Sequence, residues 1–306
     1  MERDEVVQPF EELARSGPVP IRDLVRMGES LLARAGISCL TSLGSPHRES
    51  LYLVHHALHL RDFDPSHLDA RATGSEVEEV AGLFEQRILK RIPAAYLTNE
   101  ALFRGYRFYV DERVFIPRTL LGPFLDAILD GVTWENDRVL DLCTGSGAIG
   151  ISIALERRDL EVDLADVFPG ALDVASRNVR RFGLSHRVRC LQSDLFQTVG
   201  GPYSLIVTNP PYLTHEEFDR ATGEEIRHEP RQAFVVEGEG MDVVLAILRD
   251  APDHLTEKGT LAMEVGPSLA RRLAAEHPNM PLRWLRRDGT EWAGAFTIRN
   301  GYDPPP

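Results

Sequence analysis

The fold class is predicted most directly by one stretch of the chain, Arg138-Val-Leu-Asp-Leu-Cys-Thr-Gly-Ser-Gly-Ala-Ile-Gly-Ile-Ser-Ile-Ala-Leu155. Its pattern predicts an apolar strand, a glycine turn and an apolar helix start. Gly145 and Gly147 permit a tight turn and let a ligand approach the backbone N–H groups of the helix start. The stretch therefore predicts a nucleotide-binding turn. It differs from the dinucleotide fingerprint in the position of its third glycine, and the absence of a following Gly-Lys-Ser/Thr excludes a phosphate-binding P-loop.

Two later strand patterns end in acidic residues. The run from Leu160 ends at Asp166, nineteen positions after Gly147, where a carboxylate usually accepts hydrogen bonds from a ribose diol. The run from Val188 leads to Asp194. Its carboxylate could accept from an adenine amine, and it could equally cap a helix or a turn.

A fourth strand pattern runs into Leu205-Ile-Val-Thr-Asn-Pro-Pro-Tyr-Leu213. Proline has no N–H for the strand ladder, so the strand must stop at Asn209. Open α/β sheets bind ligands at the carboxyl ends of their strands. The Asn209 side chain and the carbonyls of Asn209 and Pro210 are uncharged acceptors that suit a planar NH₂ group. The alternative is a proline-terminated strand with a turn asparagine.

These motifs, in this order and spacing, resemble class I S-adenosylmethionine-dependent methyltransferases. The chain is most similar to the protein-(glutamine-N5) methyltransferases of the HemK/PrmB group, and within it to the PrmB branch, which methylates a large-subunit ribosomal protein. The resemblance spans roughly residues 20 to 300. It rests on five segments: Arg91-Ile-Pro-Ala-Ala-Tyr-Leu-Thr-Asn99, Phe108-Tyr-Val-Asp-Glu-Arg-Val-Phe-Ile-Pro-Arg118, Asp141-Leu-Cys-Thr-Gly-Ser-Gly147, Val207-Thr-Asn-Pro-Pro-Tyr212 and Arg227-His-Glu-Pro230.

The resemblance implies a Rossmann-like α/β sheet, S-adenosylmethionine as methyl donor with S-adenosylhomocysteine as product, and no metal. It implies a catalytic segment of Asn209, Pro210, Pro211 and Tyr212. The cofactor-binding residues that we expect are Asp141, Cys143, Thr144, Gly145, Ser146, Gly147, Asp166, Val167, Asp194, Leu195, Asn209 and Arg118. Arg118 could instead brace the domain junction. Glu229 and Glu264 lie in family-like segments and could equally tie loops together.

The proposed chemistry is in-line transfer of a methyl group to a glutamine side-chain nitrogen. Asn209 Oδ1 and the Pro210 carbonyl would accept both amide protons and aim the nitrogen at the methyl carbon. Pro211 and Tyr212 would form a rigid wall beside the amide, although Tyr212 could serve as plain packing. Cys143 fits a small residue in a tight turn better than a nucleophile.

Composition agrees with an enzyme of two domains. The chain has 306 residues, 43% of them hydrophobic and 26% charged, and a net charge of −13. Acidity disfavours nucleic acid and suits a basic partner such as a ribosomal protein. We found no apolar run long enough for a signal or membrane segment, which favours a cytoplasmic protein. Three scattered cysteines do not suggest a disulfide framework or a zinc site.

The spacing of apolar residues predicts that the chain has three parts. Residues 1–92 form a helical domain that we expect to recognise the substrate, residues 93–119 a β-hairpin linker, and residues 120–306 the methyltransferase domain. Ser75 is the predicted cap of the last N-terminal helix. His55 and His59 have metal-compatible spacing, but no further ligand cluster supports a metal, so we interpret them as helix-surface residues.

Departures from the family pattern leave the acceptor open. The serine and proline expected after Arg118 are replaced in Thr119-Leu120-Leu121, and a later Asp-Gly-Leu becomes Gly240-Met241-Asp242. A paralogue that methylates a peptide or small metabolite is therefore one alternative. A nucleic-acid amine methyltransferase is a second alternative, because adenine and guanine methylases resemble this chain in having an Asn-Pro-Pro-aromatic motif. A non-catalytic protein that only binds the cofactor is the third, and a labelling assay would separate them.

Overall fold

The fold is described from a computed structural model. It covers residues 1–15, 17–39, 44–60, 64–119, 121–220, 224–238, 240–287 and 290–301. The chain divides into two compact units, one of Met1–Ala101 with Gly223–His228, the other of Leu102–Thr222 with Glu229–Pro306. The cavity and the motifs that follow from the sequence belong to the second unit.

The first unit is helical, as its apolar spacing predicts. Its helices are α1 (Arg3–Ala14), α2 (Ile21–Arg34), α3 (Pro46–Ala57), α4 (Gly74–Leu89) and α5 (Ala94–Thr98), and the short strands β1 (Val19–Pro20) and β2 (Arg71–Ala72) pair antiparallel. Phe10 and Phe84 pack in the core with ring centroids 5.3 Å apart. The fully buried Arg87 donates to Glu49 at 2.6 Å, so the one charge compensates the other in the core.

Two details of this unit differ from the sequence-based expectations. Helix α4 is capped by Thr73, whose side chain accepts from Glu76 N and whose own N–H donates to Glu76 Oε2 at 2.7 Å. The predicted cap at Ser75 is therefore wrong by two residues. Both residues are hydroxyl-bearing, and Glu76 is placed three residues after Thr73, the spacing of a capping box. His55 is buried at 2% exposure and is not a helix-surface residue.

The hairpin is shorter than its predicted stretch. Strands β3 (Glu100–Phe103) and β4 (Tyr106–Tyr109) form a two-stranded sheet, and the boundary of the two units falls inside β3. Residues 94–98 instead form α5, which starts after Pro93 and ends at Asn99 in the left-handed region. A proline before a helix and a left-handed residue after it are common local helix boundaries. The aromatic and β-branched residues of this stretch favoured a strand, so the prediction missed the short helix.

The second unit contains a seven-stranded sheet with helices, which confirms the predicted α/β class. Its strands are β5 (Arg138–Leu142), β6 (Glu161–Asp166), β7 (Val188–Gln192), β8 (Tyr203–Thr208), β9 (Leu255–Glu264), β10 (Arg283–Arg287) and β11 (Thr290–Arg299). The helices are α6 (Leu125–Gly131), α7 (Ala148–Glu156), α8 (Pro169–Arg181), α9 (His215–Arg220), α10 (Asp242–Asp250) and α11 (Pro267–Glu276).

The strand order is β10-β11-β9-β8-β5-β6-β7. Strands β5 to β9 pair in parallel, and β11 pairs antiparallel with both of its neighbours. From β5 the chain runs outward through β6 and β7 and then returns to β8 on the other side of β5. A reversal of this kind opens a crevice at the carboxyl ends of β5 and β8. Among the residues that the structure describes, no helix has the length and apolar character needed to cross a bilayer.

Candidate active site

The cavity lies at the carboxyl ends of the parallel strands. Its volume is about 360 Å³, within the range of small-molecule sites. The expected site residues that line it are Cys143, Thr144, Gly145, Ser146, Asp166, Val167, Asp194, Leu195, Asn209, Pro210, Pro211 and Tyr212. Asp141, Gly147 and Arg118 are not among the lining residues, and their contacts explain why.

Asp141 supports the glycine loop from behind. Its Oδ2 accepts from the Thr144 hydroxyl at 2.6 Å and from Gly150 N at 2.8 Å, so it joins the start of the loop to the first turn of α7. Burial, opposed by these two hydrogen bonds and assisted by the nearby Asp166 charge, raises the pKa of Asp141 to about 7. Asp141 thus shapes the loop, and its own contact with a cofactor stays a prediction.

Gly147 turns the loop into helix α7. It has a φ of +80°, and a Cβ built on it would lie 2.8 Å from Ile151 Cδ1 and 3.2 Å from Leu164 Cδ1. A side chain is therefore excluded both by the backbone conformation and by the core. Gly145 has a φ of +56° and lines the cavity, and a Cβ there would meet no atom within 4 Å. At Gly145 the space that a side chain would fill is left for a ligand.

Asp166 ends β6 at the rim of the same loop. Its Oδ2 accepts from Gly145 N at 2.9 Å and its Oδ1 from Phe168 N at 3.0 Å. Burial raises the pKa of this carboxyl, and the backbone hydrogen bonds oppose the rise. The carboxylate is thereby fixed between two strand ends. The large apolar residues Val167 and Phe168 follow it and remain about 40% exposed on the cavity wall.

Cys143 lies in the loop with a φ of +58°. Removal of the thiol from water and the charge of Asp166 raise the pKa of Cys143 far above neutrality. A protonated thiol is a poor nucleophile, so the thiol forms part of the wall and does not take part in covalent chemistry.

The Asn-Pro-Pro-Tyr segment closes the other end of the cavity. Strand β8 ends at Thr208, as the prolines predict, and Asn209 to Tyr212 all line the cavity. Within the described part of the chain, the Asn209 side chain has no hydrogen-bond partner and faces the cavity. Both of its amide atoms are thus available to a ligand.

Tyr212 is fixed by its backbone and by its ring. Tyr212 N and Leu213 N both donate to Phe234 O, at 3.2 and 2.8 Å. A Cβ at Gly266 would lie 2.8 Å from the Tyr212 ring, so a glycine is needed behind it. Burial, followed by the charge of Glu264, raises the pKa of Tyr212 to about 12. The phenol therefore stays neutral and forms a polar-edged wall.

The segment 229–236 forms a further wall, and Arg118 holds it in place. Arg118 donates to both carboxylate oxygens of Glu229, at 2.7 and 2.9 Å, and Glu229 Oε2 also accepts from Ile116 N. The Arg118 guanidinium lies 4.2 Å from the centroid of the Phe115 ring. Phe115 in turn packs edge-on against Phe234 at 5.4 Å. Arg118 thus braces two parts of the cavity wall, and its direct contact with a cofactor stays a prediction.

Glu264 is a lining residue whose place the sequence did not reveal. It ends β9, its side chain is buried, and the Thr119 hydroxyl donates to its Oε2. Thr119, the first position at which the chain departs from the family pattern, also lines the cavity. Leu120 lies outside the described residues. Gly240, at the second departure, has a φ of +80°, and a Cβ there would lie 2.5 Å from the Tyr212 carbonyl oxygen.

A parallel sheet with a glycine loop after β5, a carboxylate after β6 and Asn-Pro-Pro-Tyr after β8 defines a class I methyltransferase. A family model, the methyltransferase small domain, matches residues 123–244. Solved structures align over part of the chain, for example a methyltransferase from Pyrococcus furiosus with 16% identity, a TM-score of 0.46, and coverage of 65% of this chain and 91% of that chain.

Curated relatives cover nearly the whole chain. Ribosomal protein uL3 glutamine methyltransferase of Bradyrhizobium diazoefficiens is 41% identical over 92% of this chain and 91% of its own length. The proteins of that name from Neisseria meningitidis and Bordetella pertussis are 38% and 40% identical, over 88% and 87% of this chain and 89% and 90% of their own lengths. The chain belongs to this family of ribosomal protein glutamine methyltransferases, and it is an enzyme.

Proposed function

We propose that this protein transfers a methyl group from S-adenosylmethionine to the side-chain amide nitrogen of a glutamine in ribosomal protein uL3. The observation that carries the proposal is the Asn209 side chain, which directly follows the central strand β8, lines the cavity and has no hydrogen-bond partner among the described residues. The names of the relatives support uL3 as the acceptor.

The residues around the glycine loop fit S-adenosylmethionine. Gly145 leaves room beside the backbone, and Asp166 presents a fixed carboxylate that suits two ribose hydroxyls. Val167 and Leu195 are apolar lining residues next to Asp194, a combination that suits the adenine ring and its amine. When bound, the cofactor supplies an electrophilic methyl group on a sulfonium. Cys143 and Tyr212 would not compete as nucleophiles for this methyl group, because both stay protonated.

The Asn-Pro-Pro-Tyr residues address the low reactivity of an amide. The lone pair of an amide nitrogen is conjugated with the carbonyl, so the nitrogen is a weak nucleophile. Asn209 Oδ1 and the Pro210 carbonyl would accept its two protons, fix its direction toward the methyl carbon and stabilise the positive charge that develops. Tyr212, held by Phe234 and Gly266, would form the wall against the planar amide.

The net charge of −13 suits a basic ribosomal protein better than nucleic acid. A small metabolite or a peptide acceptor is the second candidate, because Thr119 and Gly240, where the chain departs from the family pattern, flank Asn-Pro-Pro-Tyr.

The test is methylation of purified uL3 with labelled S-adenosylmethionine, compared with release factor, RNA, DNA and free glutamine. Label in uL3 at one glutamine, located by mass spectrometry, is the expected result. Label that enters only one of the other acceptors would overturn the uL3 assignment.

The amide clamp makes a separate prediction for Asn209. Asn209→Ala removes one of two oriented acceptors and should lower the rate of methyl transfer by on the order of 10²–10³, with S-adenosylmethionine affinity nearly unchanged. Asn209→Asp keeps the shape and acceptor oxygens but adds charge, and should be impaired less severely. Single-turnover rates at saturating cofactor give the measurement. A wild-type rate for Asn209→Ala would reduce Asn-Pro-Pro-Tyr to a strand terminator.

A further inference from the structure

The side chain of Glu264 lies beside the proposed amide clamp. In the parallel ladder of β8 and β9, Thr208 pairs with Met263. Asn209 and Glu264 are the next residues along the chain after this pair, and adjacent strands lie about 5 Å apart. Both residues line the cavity, although Glu264 is only 6% exposed. A carboxylate thus reaches the same end of the cavity as the amide of Asn209.

A hydrogen bond also fixes the orientation of the Glu264 carboxylate. The Thr119 hydroxyl donates to Glu264 Oε2, and the same hydroxyl accepts from Leu121 N at 3.2 Å. A carboxylate can only accept a hydrogen bond and Leu121 N can only donate one, so the Thr119 proton is directed at the carboxylate. The residue that departs from the family pattern therefore orients an acidic group of the cavity.

N-Methylation of an amide requires a group that takes up a proton. Once the nitrogen has accepted the methyl group it carries a positive charge and must lose one of its two protons. The acceptors of the clamp, Asn209 Oδ1 and the Pro210 carbonyl, can hold a hydrogen bond but are too weakly basic to keep the proton. Tyr212 and Cys143 are already protonated at neutral pH. The remaining bases of the described cavity are its carboxylates.

Position distinguishes these three carboxylates. Asp166 is the last residue of β6, which β5 separates from β8, and Asp194 follows β7, one strand further out. At about 5 Å per strand, their strand ends lie about 10 and about 15 Å from the end of β8. Glu264 is the last residue of β9, the immediate neighbour of β8 on the opposite side. Glu264 is therefore the carboxylate next to the amide, and the other two are on the side of the glycine loop.

We propose that Glu264 is the base that removes the proton from the methylated amide, an inference that rests on the proposed function. The nitrogen lone pair forms the N–CH₃ bond as the S–CH₃ bond breaks, and sulfur keeps the electron pair of that bond. The cationic nitrogen then gives one proton to Glu264, which leaves a neutral N-methyl amide and a neutral carboxyl group. The carboxyl group later releases the proton to water. Before transfer, the same negative charge stabilises the charge that builds on the nitrogen.

The test compares Glu264→Gln, Glu264→Ala and the matched control Glu257→Gln, an exposed glutamate on the same strand β9. Glu264→Gln keeps an acceptor for Thr119 and removes the basicity and the negative charge of the carboxylate. We expect kcat on uL3 to fall about 10²–10³-fold in Glu264→Gln, with KM for uL3 and the calorimetric affinity for S-adenosylmethionine within a few-fold of wild type. Glu257→Gln should retain the wild-type kcat.

Formate supplies a second readout that a structural role would not move. In Glu264→Ala, added formate can occupy the space of the carboxyl group and act as base, so the rate should rise with formate concentration. Glu264→Gln, which leaves no space, should show no such rise. A wild-type kcat in Glu264→Gln, or no rescue of a Glu264→Ala protein that binds the cofactor normally, would overturn the proposal. Failure of the wild-type enzyme to label uL3 would instead contradict the proposed function.

Discussion

Two polar residues at the ends of neighbouring strands have different surroundings, which determine their roles. Asp141 turns away from the cavity and is bonded inside the glycine loop, whereas Asn209 lines the cavity. Asp141 is 1% exposed, so its charged form is costly. Asn209 carries no charge and can lie at a ligand site without a partner of opposite sign. The buried acid therefore predicts a dependence of stability on pH that the asparagine does not.

The pKa of Asp141 is raised from 3.8 to about 7, chiefly by burial. Between these values the folded state keeps the proton that the unfolded state has released. The free energy of unfolding should therefore fall as pH rises from about 4 to about 7, by on the order of 4 kcal/mol from this group, and then level off. Asp141→Asn cannot ionise and should lack this part of the slope.

Urea unfolding of both proteins at a series of pH values gives the measurement. The difference in unfolding free energy between Asp141→Asn and the wild type should shift in favour of the variant as pH rises through this window. Parallel curves for the two proteins would show that the Asp141 carboxyl titrates alike in the folded and unfolded states.

At the scale of elements, the cavity wall of residues 229–236 depends on a remote ion pair. Glu229 is 4% exposed and accepts from Arg118 and from Ile116 N, across 111 and 113 residues of sequence. Phe234, in the same wall, accepts through its carbonyl from Tyr212 N and Leu213 N. The wall and the Asn-Pro-Pro-Tyr segment are therefore joined by hydrogen bonds, and loss of the Arg118–Glu229 ion pair should destabilise both.

Glu229→Gln removes a charge-assisted pair and leaves Arg118 without its counter-charge. Because Arg118 is about one-quarter exposed, we expect a loss of unfolding free energy of about 1–3 kcal/mol, below that of a fully buried pair. Denaturant unfolding of this variant is compared with that of Asp159→Asn, which breaks the exposed pair with Arg157 and should leave the free energy of unfolding nearly unchanged. Equal losses in the two variants would mean that the Arg118–Glu229 pair acts as a surface salt bridge.

At the scale of the whole molecule, the cavity lining, as far as the structure describes it, belongs to the second unit. The helical unit has its own core, around Phe10 and Phe84, and holds none of the cofactor motifs. A protein substrate requires a larger contact area than one glutamine side chain offers. The helical unit is therefore the expected source of that area.

A variant that lacks residues 1–91 should keep its affinity for S-adenosylmethionine within a few-fold and lose methylation of full-length uL3. Cofactor affinity, measured by calorimetry, also serves as the control for folding. The segment Gly223–His228 groups with the helical unit, and His228 Nε2 lies 2.8 Å from the Lys90 carbonyl oxygen, so this segment also loses a partner in the variant. Methylation of uL3 at normal efficiency would contradict a recognition role for the helices.

Features that depend on short stretches of chain follow from the amino-acid sequence alone. Two prolines without N–H groups end β8 at Thr208, and the glycines at 145 and 147 take left-handed conformations in the loop before α7. Alternating strand and helix patterns determined the α/β sheet. These constraints act between residues a few positions apart, so they can be recognised without knowledge of the remaining chain.

Contacts between residues far apart in the chain could be seen only in the folded protein. Thr119 and Glu264 are 145 positions apart and become bonded because the segment before α6 packs at the end of β9. The sequence motifs predicted that Arg118 binds the cofactor. In the folded protein its guanidinium instead forms an ion pair with the buried carboxylate of Glu229. Such pairings follow from strand order and loop packing, which bring together groups whose local sequence carries no sign of one another.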